Sequence, residues 1–241
     1  MAALVLGPDL VVGCLHSAID SSAWKTLNDG AAGFSAVGVG EGLEVKSGHA
    51  DDTVAGTGTR TVGIDYLTVA GAPGQETISM NGTTEVAAAI VAAFRINGFY
   101  SLSYGSGGVN AGLLTLQKIS AGGERARILA GRRSAAMGQF TVPLGYRLDL
   151  TGLELSAAAA TATTPLRISA MLEAEINPAT GAYADGLWSS LVWGTTNYLG
   201  SIKRRFALSI PALSTVRVRA ISDNATGVEL SGNFYGVLRA A

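Results

Sequence analysis

The sequence predicts an all-β protein. Short runs rich in Val, Ile, Thr, Leu and Tyr recur along the 241 residues, and turns of Gly, Asn and Pro separate them. Several of these runs alternate apolar and polar side chains, as strands with one buried face do. The 32 glycines follow no collagen-like period. We therefore expect two β-sandwich or jelly-roll-like halves, with short helical turns at most.

We divide the chain into three segments. Residues 1–55 are expected to form an N-terminal arm and a loop-rich lead-in. Residues 56–134 are expected to form a first β domain, and residues 135–241 a second β-sandwich domain. The boundary between the two halves is placed in the stretch 120–138, because it contains glycines and arginines and has weak periodicity.

The strands of the first half follow from alternation and from turn residues. Residues 60–69 alternate, and residues 76–80 alternate again before Asn81-Gly82, a dipeptide typical of tight hairpins. Residues 99–104 and 113–117 are predicted to be two further strands.

Two segments are candidates for short helical structure. The Ala-rich residues 86–94 favour a short helix, but a run this short between strands also fits an extended backbone. Residues 21–27 fit one helical turn capped by Asp20 or Ser21.

Alternation resumes in the second half of the chain. We predict strands at 139–142, 146–155, 166–176, 206–210, 215–221 and 228–238. Turns at Asn177-Pro178 and Asp223-Asn224 separate some of them. This density of short strands is typical of a sandwich.

The charge composition excludes several classes of function. Seventeen basic and 18 acidic residues give a net charge of −1, so there is no basic field for nucleic acid. Charged residues make up 15% of the chain, against about 25% in a typical globular protein. Because so few polar groups are available to solvate the surface, we expect some apolar surface to meet a partner. No apolar run reaches the length of about 18 residues that a membrane-spanning helix needs.

The apolar N-terminus is interpreted as a short arm or a first strand. Val11-Val12-Gly13-Cys14 has the form of a lipoprotein cleavage box. A secretory leader, however, has a basic start and a continuous apolar region. Here no Lys or Arg precedes Lys25, and Gly7-Pro8-Asp9 interrupts the apolar run.

No pattern predicts a metal or a cofactor. His16 and His49 have no metal-ligand spacing, and Cys14 has apolar neighbours, which indicates a buried, inert thiol. We expect Asp51-Asp52 to lie in a solvated turn, because calcium needs about six to eight oxygen ligands and no motif supplies them.

One carboxylate pair has a spacing compatible with catalysis. Glu173 and Glu175 lie on one face of a predicted strand, about 7 Å apart. Glycosidases use carboxylates at such distances, but any two acids two residues apart on a strand satisfy the criterion. We do not expect an enzyme, and we assign no catalytic residue.

Two groups of side chains are candidates for binding. The basic residues Lys118, Arg125, Arg127, Arg132 and Arg133, and then Lys203, Arg204 and Arg205, form either solvated loops or a docking patch for an acidic surface. The second group consists of four aromatic residues close together in the sequence, Tyr183, Trp188, Trp193 and Tyr198. These either fill a sandwich core or stack on sugars.

Four motifs carry a resemblance to a known family: GTRTVGIDYL (58–67), QETISMNGTT (75–84), FRIN (94–97) and GSGGVNAGLLTL (105–116). In this order, and followed by FTVPLG (140–145), they resemble β-rich virion proteins of tailed bacteriophages. The similarity spans residues 56–150 and continues more loosely to the C-terminus.

The resemblance implies a structural virion protein, assembled in the bacterial cytoplasm and often trimeric. Proteins of this kind include capsid cement or decoration proteins, head fibres and tail-associated components. We favour a cement protein that binds the major capsid protein and stabilises the particle. Its candidate contact residues are Leu4, Val5, Leu6, Leu10, Val11, Arg125, Arg127, Arg132 and Arg133. The alternative is a tail or head fibre that binds host glycans through Trp188, Trp193 and Tyr198.

Overall fold

A computed structural model describes most of the chain. The described residues are 9–19, 22–28, 40–120, 122–158, 166–177, 182–193, 200–223 and 228–241. For residues 16–18, 158, 166–167, 176–177, 182–193, 200 and 202 it describes the backbone alone. Within these ranges all regular structure is strand and no helix occurs, which confirms the all-β prediction.

The strands are numbered in chain order. The first nine are β1 (Asp9–Ile19), β2 (Lys25–Thr26), β3 (Leu43–Ser47), β4 (Thr59–Thr68), β5 (Pro73–Ser79), β6 (Val86–Ala87), β7 (Ala93–Tyr104), β8 (Leu114–Lys118) and β9 (Glu124–Ile128). The others are β10 (Gln139–Thr141), β11 (Tyr146–Ala158), β12 (Leu166–Asn177), β13 (Ala182–Trp193), β14 (Gly200–Ile210), β15 (Thr215–Ser222) and β16 (Val228–Ala240).

The chain folds as two compact units. We call the described residues 40–135 the insert unit, and the described residues 9–28 and 136–241 the terminal unit. The terminal unit is therefore discontinuous in sequence, because the insert unit interrupts it. This places β1 and β2 with the second half of the chain.

The terminal unit contains two antiparallel sheets. One has the strand order β1-β16-β11-β14, and the other has β10-β15-β12-β13 with β2 paired to β15. β1 pairs with β16 from Asp9↔Val237 to Ile19↔Val228, so the first and last strands lie side by side. From Asp9 onward the N-terminal segment is thus a sheet strand, as one of the two interpretations of the apolar N-terminus expects.

The alternation of buried and outward residues in β11 shifts by one residue partway along the strand. Leu148 and Leu150 are buried, and so are Leu153 and Leu155. A β-bulge between Leu150 and Gly152 inserts the extra residue that keeps both pairs of leucines on the core side. Burying each such side chain stabilises the fold by about 1.5–3 kcal/mol.

The insert unit also contains two antiparallel sheets. Their strand orders are β6-β3-β8-β9 and β5-β4-β7. Fully buried side chains from both sheets form the core, among them Val45, Val62, Ile64, Phe99, Leu114 and Leu116. Two half-buried sheets shield their apolar faces by packing against each other, as in sandwiches generally.

Two tyrosines of the insert unit lie over glycines on the neighbouring strand. A Cβ at Gly74 would lie 2.4 Å from Cζ of Tyr66, and a Cβ at Gly63 would lie 2.6 Å from Cε2 of Tyr100. These residues are cross-strand pairs in the register. Each ring therefore packs directly on the backbone of a glycine. A larger residue in place of that glycine would displace the ring.

The structure settles the open segments and corrects one turn. Residues 86–94 contain β6 and the start of β7 and no helix, and residues 22–27 hold bends and β2 instead of a helical turn. Gly82 does turn the chain, with a φ of +61° that favours glycine. The predicted hairpin there is wrong, because β5 pairs with β4 whereas β6 pairs with β3.

Candidate functional site

The N-terminal contact candidates lie partly on β1. Val11 is 59% exposed and Leu10 is half-buried. Leu4, Val5 and Leu6 fall outside the described residues. Because β1 is an edge strand of its sheet, Val11 is presented by the fold and not by a free arm.

Two of the four candidate arginines are already paired within the insert unit. Arg125 holds the buried carboxylate of Glu41 in a fork, with N–O distances of 2.8 and 2.9 Å. Arg127 on the same strand pairs with Glu124. The bidentate pair of Arg125 with a buried carboxylate is chiefly structural, and Glu124 offsets the charge of Arg127, so these two side chains contribute little charge to a docking surface.

The other two candidate arginines are exposed. The Arg133 guanidinium lies over the Tyr104 ring, 5.1 Å from its centroid. Its carbonyl accepts a hydrogen bond from the Ser101 N–H at 2.8 Å, so residues 132–134 run beside β7. Leu102, which is 47% exposed, follows Ser101 on that strand. We call Leu102, Tyr104, Arg132 and Arg133 the β7 patch.

The aromatic candidates lie on β13 or beyond it. Trp188 is opposite Met171 and Trp193 is opposite Leu166 in the register with β12. Their side chains, and all of Tyr198, lie outside the described part of the structure. Sugar stacking by these residues stays a prediction.

The Asp51-Asp52 pair departs from the prediction of a solvated turn. Asp51 is exposed, whereas Asp52 is completely buried. Asp52 accepts hydrogen bonds from the backbone N–H groups of Thr59 (2.7 Å), Ala111 (2.8 Å) and Gly112 (2.9 Å), and from the Ser47 hydroxyl (2.6 Å). One carboxylate thus joins three separate parts of the insert unit, and it is structural, not a metal ligand.

The paired carboxylates on β12 are both buried. Glu173 accepts hydrogen bonds from Arg217 Nε at 2.7 Å and from Arg219 Nη1 at 3.2 Å. Glu175 is 3% exposed. Burial and the two arginines explain Glu173 as a charge-paired group inside the sheet. We assign no catalytic role to either residue.

Cys14 has the properties of an inert thiol, as predicted. It is 3% exposed on β1, and burial raises the pKa of its thiol to about 12.

His49 is half-exposed, and its Nδ1 accepts a hydrogen bond from the Asp51 N–H. The described residues contain no group of three potential metal ligands. They also include no helix of the length and apolarity needed to span a bilayer.

A polar network that sequence reasoning missed lies on the three-stranded sheet of the insert unit. Tyr100 donates to Asp65 at 3.0 Å, while Gln75 donates to Asp65 at 2.9 Å and to the Tyr100 hydroxyl at 2.6 Å. Burial, followed by the Asp65 charge, raises the pKa of the Tyr100 phenol to about 12. The alternation of β4 and β7 indicated outward side chains here but not their pairing.

A groove with a volume of about 460 Å³ lies in the terminal unit, across the sheet β1-β16-β11-β14. We call it the Gly152 groove, because Gly152 lies at its middle. It is lined by Asp9, Leu10, Val11, Thr151, Gly152, Leu153, Lys203, Arg204, Arg205, Tyr235, Gly236 and Val237. The spacing of leucines around Thr151-Gly152 is the only local signal for the bulge beneath it.

Comparisons with known proteins give no family. No protein-family model and no curated protein matches the chain. The structure of the infectious bursal disease virus Gx strain is similar over 96% of this chain and 71% of that chain, with 10% identity and a TM-score of 0.29. The VP2 subviral particle of that virus is similar over 96% and 72%, with 11% identity and a TM-score of 0.29. This weak structural similarity to viral particle proteins carries no argument about function.

Proposed function

We propose that the chain is a structural virion protein of a tailed bacteriophage and acts as a capsid cement or decoration subunit. The observation that carries the proposal is the ordered set of motifs between residues 58 and 116, which resembles β-rich virion proteins. These motifs all fall in the insert unit, where β4 pairs with both β5 and β7. They therefore belong to one structural module, which supports interpreting them together.

The β7 patch is the docking surface in this proposal. It combines an exposed leucine, an aromatic ring and two arginines, a composition suited to the core and rim of a protein interface. Its arginines have no ion pair with the described carboxylates, so they are available to an acidic surface. The partner is the major capsid protein, and the bound form is a homotrimer within the virion.

The low charge of the chain supports an assembled state. With 15% charged residues, the protein has few ionic groups with which to cover its surface. Val69 and Val91 of the insert unit are 50% and 77% exposed. Removing such surface from water is favourable by roughly 25 cal/mol per Å², so contacts to neighbouring subunits stabilise the particle without any covalent step.

Binding to depleted particles tests the proposal. Particles stripped of the protein are incubated with the purified full chain, and a mass-calibrated gel measures the bound copies. We expect Leu102→Asp and Arg132→Glu each to weaken binding about tenfold, equal to about 1.4 kcal/mol. Leu144→Asp is the matched control, because Leu144 is 54% exposed and lies in the terminal unit.

The same gel distinguishes cement from fibre. A cement subunit is present in numbers comparable to the capsid protein, whereas a fibre is restricted to a few vertices or to the tail. Failure of the wild-type chain to bind capsids, or equal binding by the two patch variants and the control, would overturn the proposal.

A further inference from the structure

The Gly152 groove follows one cross-strand row of its sheet. In the register, Val11 is opposite Tyr235, Tyr235 is opposite Gly152, and Gly152 is opposite Arg205. Residues directly opposite each other on neighbouring strands share a face. The row therefore crosses all four strands, with a gap where Gly152 has no side chain.

The floor of the groove is built by the bulge in β11. Against β16 the extra residue lies on β11, between Leu150 and Gly152. Against β14 the same step is matched by a step of three residues on β14, from Leu208 to Arg205. A Cβ at Gly152 would lie 3.1 Å from the Arg204 carbonyl oxygen and 3.6 Å from Tyr235 Cδ2. Any larger residue would occupy the space between the Tyr235 ring and β14.

One end of the groove is cationic. Lys203, Arg204 and Arg205 are consecutive and exposed on β14. Lys203 lies 3.5 Å from Glu154, while Arg204 and Arg205 form no ion pair within the described residues. Successive side chains on a strand point to opposite faces, so Arg204, which is opposite the buried Leu153, points away from the groove, whereas Arg205, which is opposite Gly152, points into it. The guanidinium group of Arg205 is thus left to receive an anion.

The other end is weakly acidic and the middle is apolar. Asp9 on β1 lies three strand spacings from β14, a distance of about 14 Å. Val11 and the ring of Tyr235 lie between them, and Thr151 adds an exposed hydroxyl. A ligand that fits has an anionic end, a flat apolar face and, near Asp9, groups that donate hydrogen bonds.

We propose that the Gly152 groove binds an acidic saccharide, a short oligosaccharide that contains hexuronate units. Its carboxylate pairs with Arg205, a ring face packs on Tyr235, and its hydroxyls donate to Asp9. An acidic peptide fits less well, because it has no hydroxyl-rich end for Asp9. The volume of about 460 Å³ lies within the roughly 300–1,000 Å³ typical of small-ligand sites.

Calorimetric titration of the full-length protein with tetragalacturonate tests this site. We expect saturable binding that weakens as salt is added, because Arg205 is exposed. Arg205→Glu and Tyr235→Ala should each weaken it at least about tenfold, with unchanged melting temperatures. Arg132→Glu, the same charge reversal on an exposed arginine of the insert unit, is the matched control and should change affinity less than about twofold.

The outcomes separate this inference from the proposed function. A neutral galactose oligomer and pentaglutamate serve as the competing probes. Absence of tetragalacturonate binding, equal weakening by Arg132→Glu, or tighter binding of pentaglutamate would each overturn the saccharide assignment. Capsid binding by the β7 patch is measured separately, so either idea can fail while the other stands.

Discussion

The buried carboxylate of Asp52 should dominate the stability of the insert unit. In Asp52→Ala, the backbone N–H groups of Thr59, Ala111 and Gly112 lose their acceptor inside the protein. Each buried donor left without a partner costs about 1–3 kcal/mol. Because the three groups share one site, the costs do not add fully, and we expect a loss of about 3–5 kcal/mol.

Two probes show which of the two units loses stability in Asp52→Ala. The three tryptophans, Trp24, Trp188 and Trp193, all belong to the terminal unit, so their fluorescence reports its unfolding in urea. Amide hydrogen exchange of residues 40–135 reports the insert unit. Protection of the amides at Thr59 and Ala111 should fall most, because these are the donors that lose Asp52.

The adjacent aspartate is the matched control. Asp51 is exposed, and its side chain makes one hydrogen bond of 3.4 Å, to Thr57, and a 3.7 Å approach to His49. Asp51→Ala should cost less than about 0.5 kcal/mol, as surface substitutions generally do. The reasoning is refuted if Asp51→Ala and Asp52→Ala destabilise the insert unit equally.

Three further predictions concern the aromatic network and the buried thiol. Gly63→Ala should destabilise the insert unit by about 1–3 kcal/mol, and a double-mutant cycle should show that most of this cost disappears with Tyr100→Ala, since the new methyl meets that ring. The raised pKa of Tyr100 means that the folded state holds its phenolic proton more tightly, so stability is intact below pH 10 and falls as the pH rises toward 12. Tyr100→Phe should flatten that fall in the insert unit, and an unchanged slope would contradict the raised pKa that burial and Asp65 give to the Tyr100 phenol. Cys14 should react with a disulfide reagent at pH 8 only on unfolding, and rapid labelling of the folded protein would contradict its burial.

The strands themselves were largely predictable from local patterns. Strands form in the alternating stretches 60–69, 146–155 and 215–221, although the bulge in β11 changes which of its residues face the core. The turn glycines Gly71 and Gly82 have positive φ as turn residues do. Segments without alternation, such as residues 86–94, were ambiguous because Ala fits either backbone.

The candidate site was much less predictable. Residues 125 and 132 are both arginine, yet Arg125 pairs with the buried Glu41 and Arg132 is exposed. The groove requires β1, β16, β11 and β14 to lie side by side, although β1 and β16 are at opposite ends of the chain. No local pattern encodes such neighbours.

The sequence by itself determined the backbone class and the low charge of this protein, because strand periodicity and composition are properties of neighbouring residues and of totals. Only the tertiary structure decided that Asp52 is buried while Asp51 is in water, and that Gly152 opens a groove between Tyr235 and Arg205. Those outcomes depend on contacts between residues far apart in the chain, which form only when the sheets assemble.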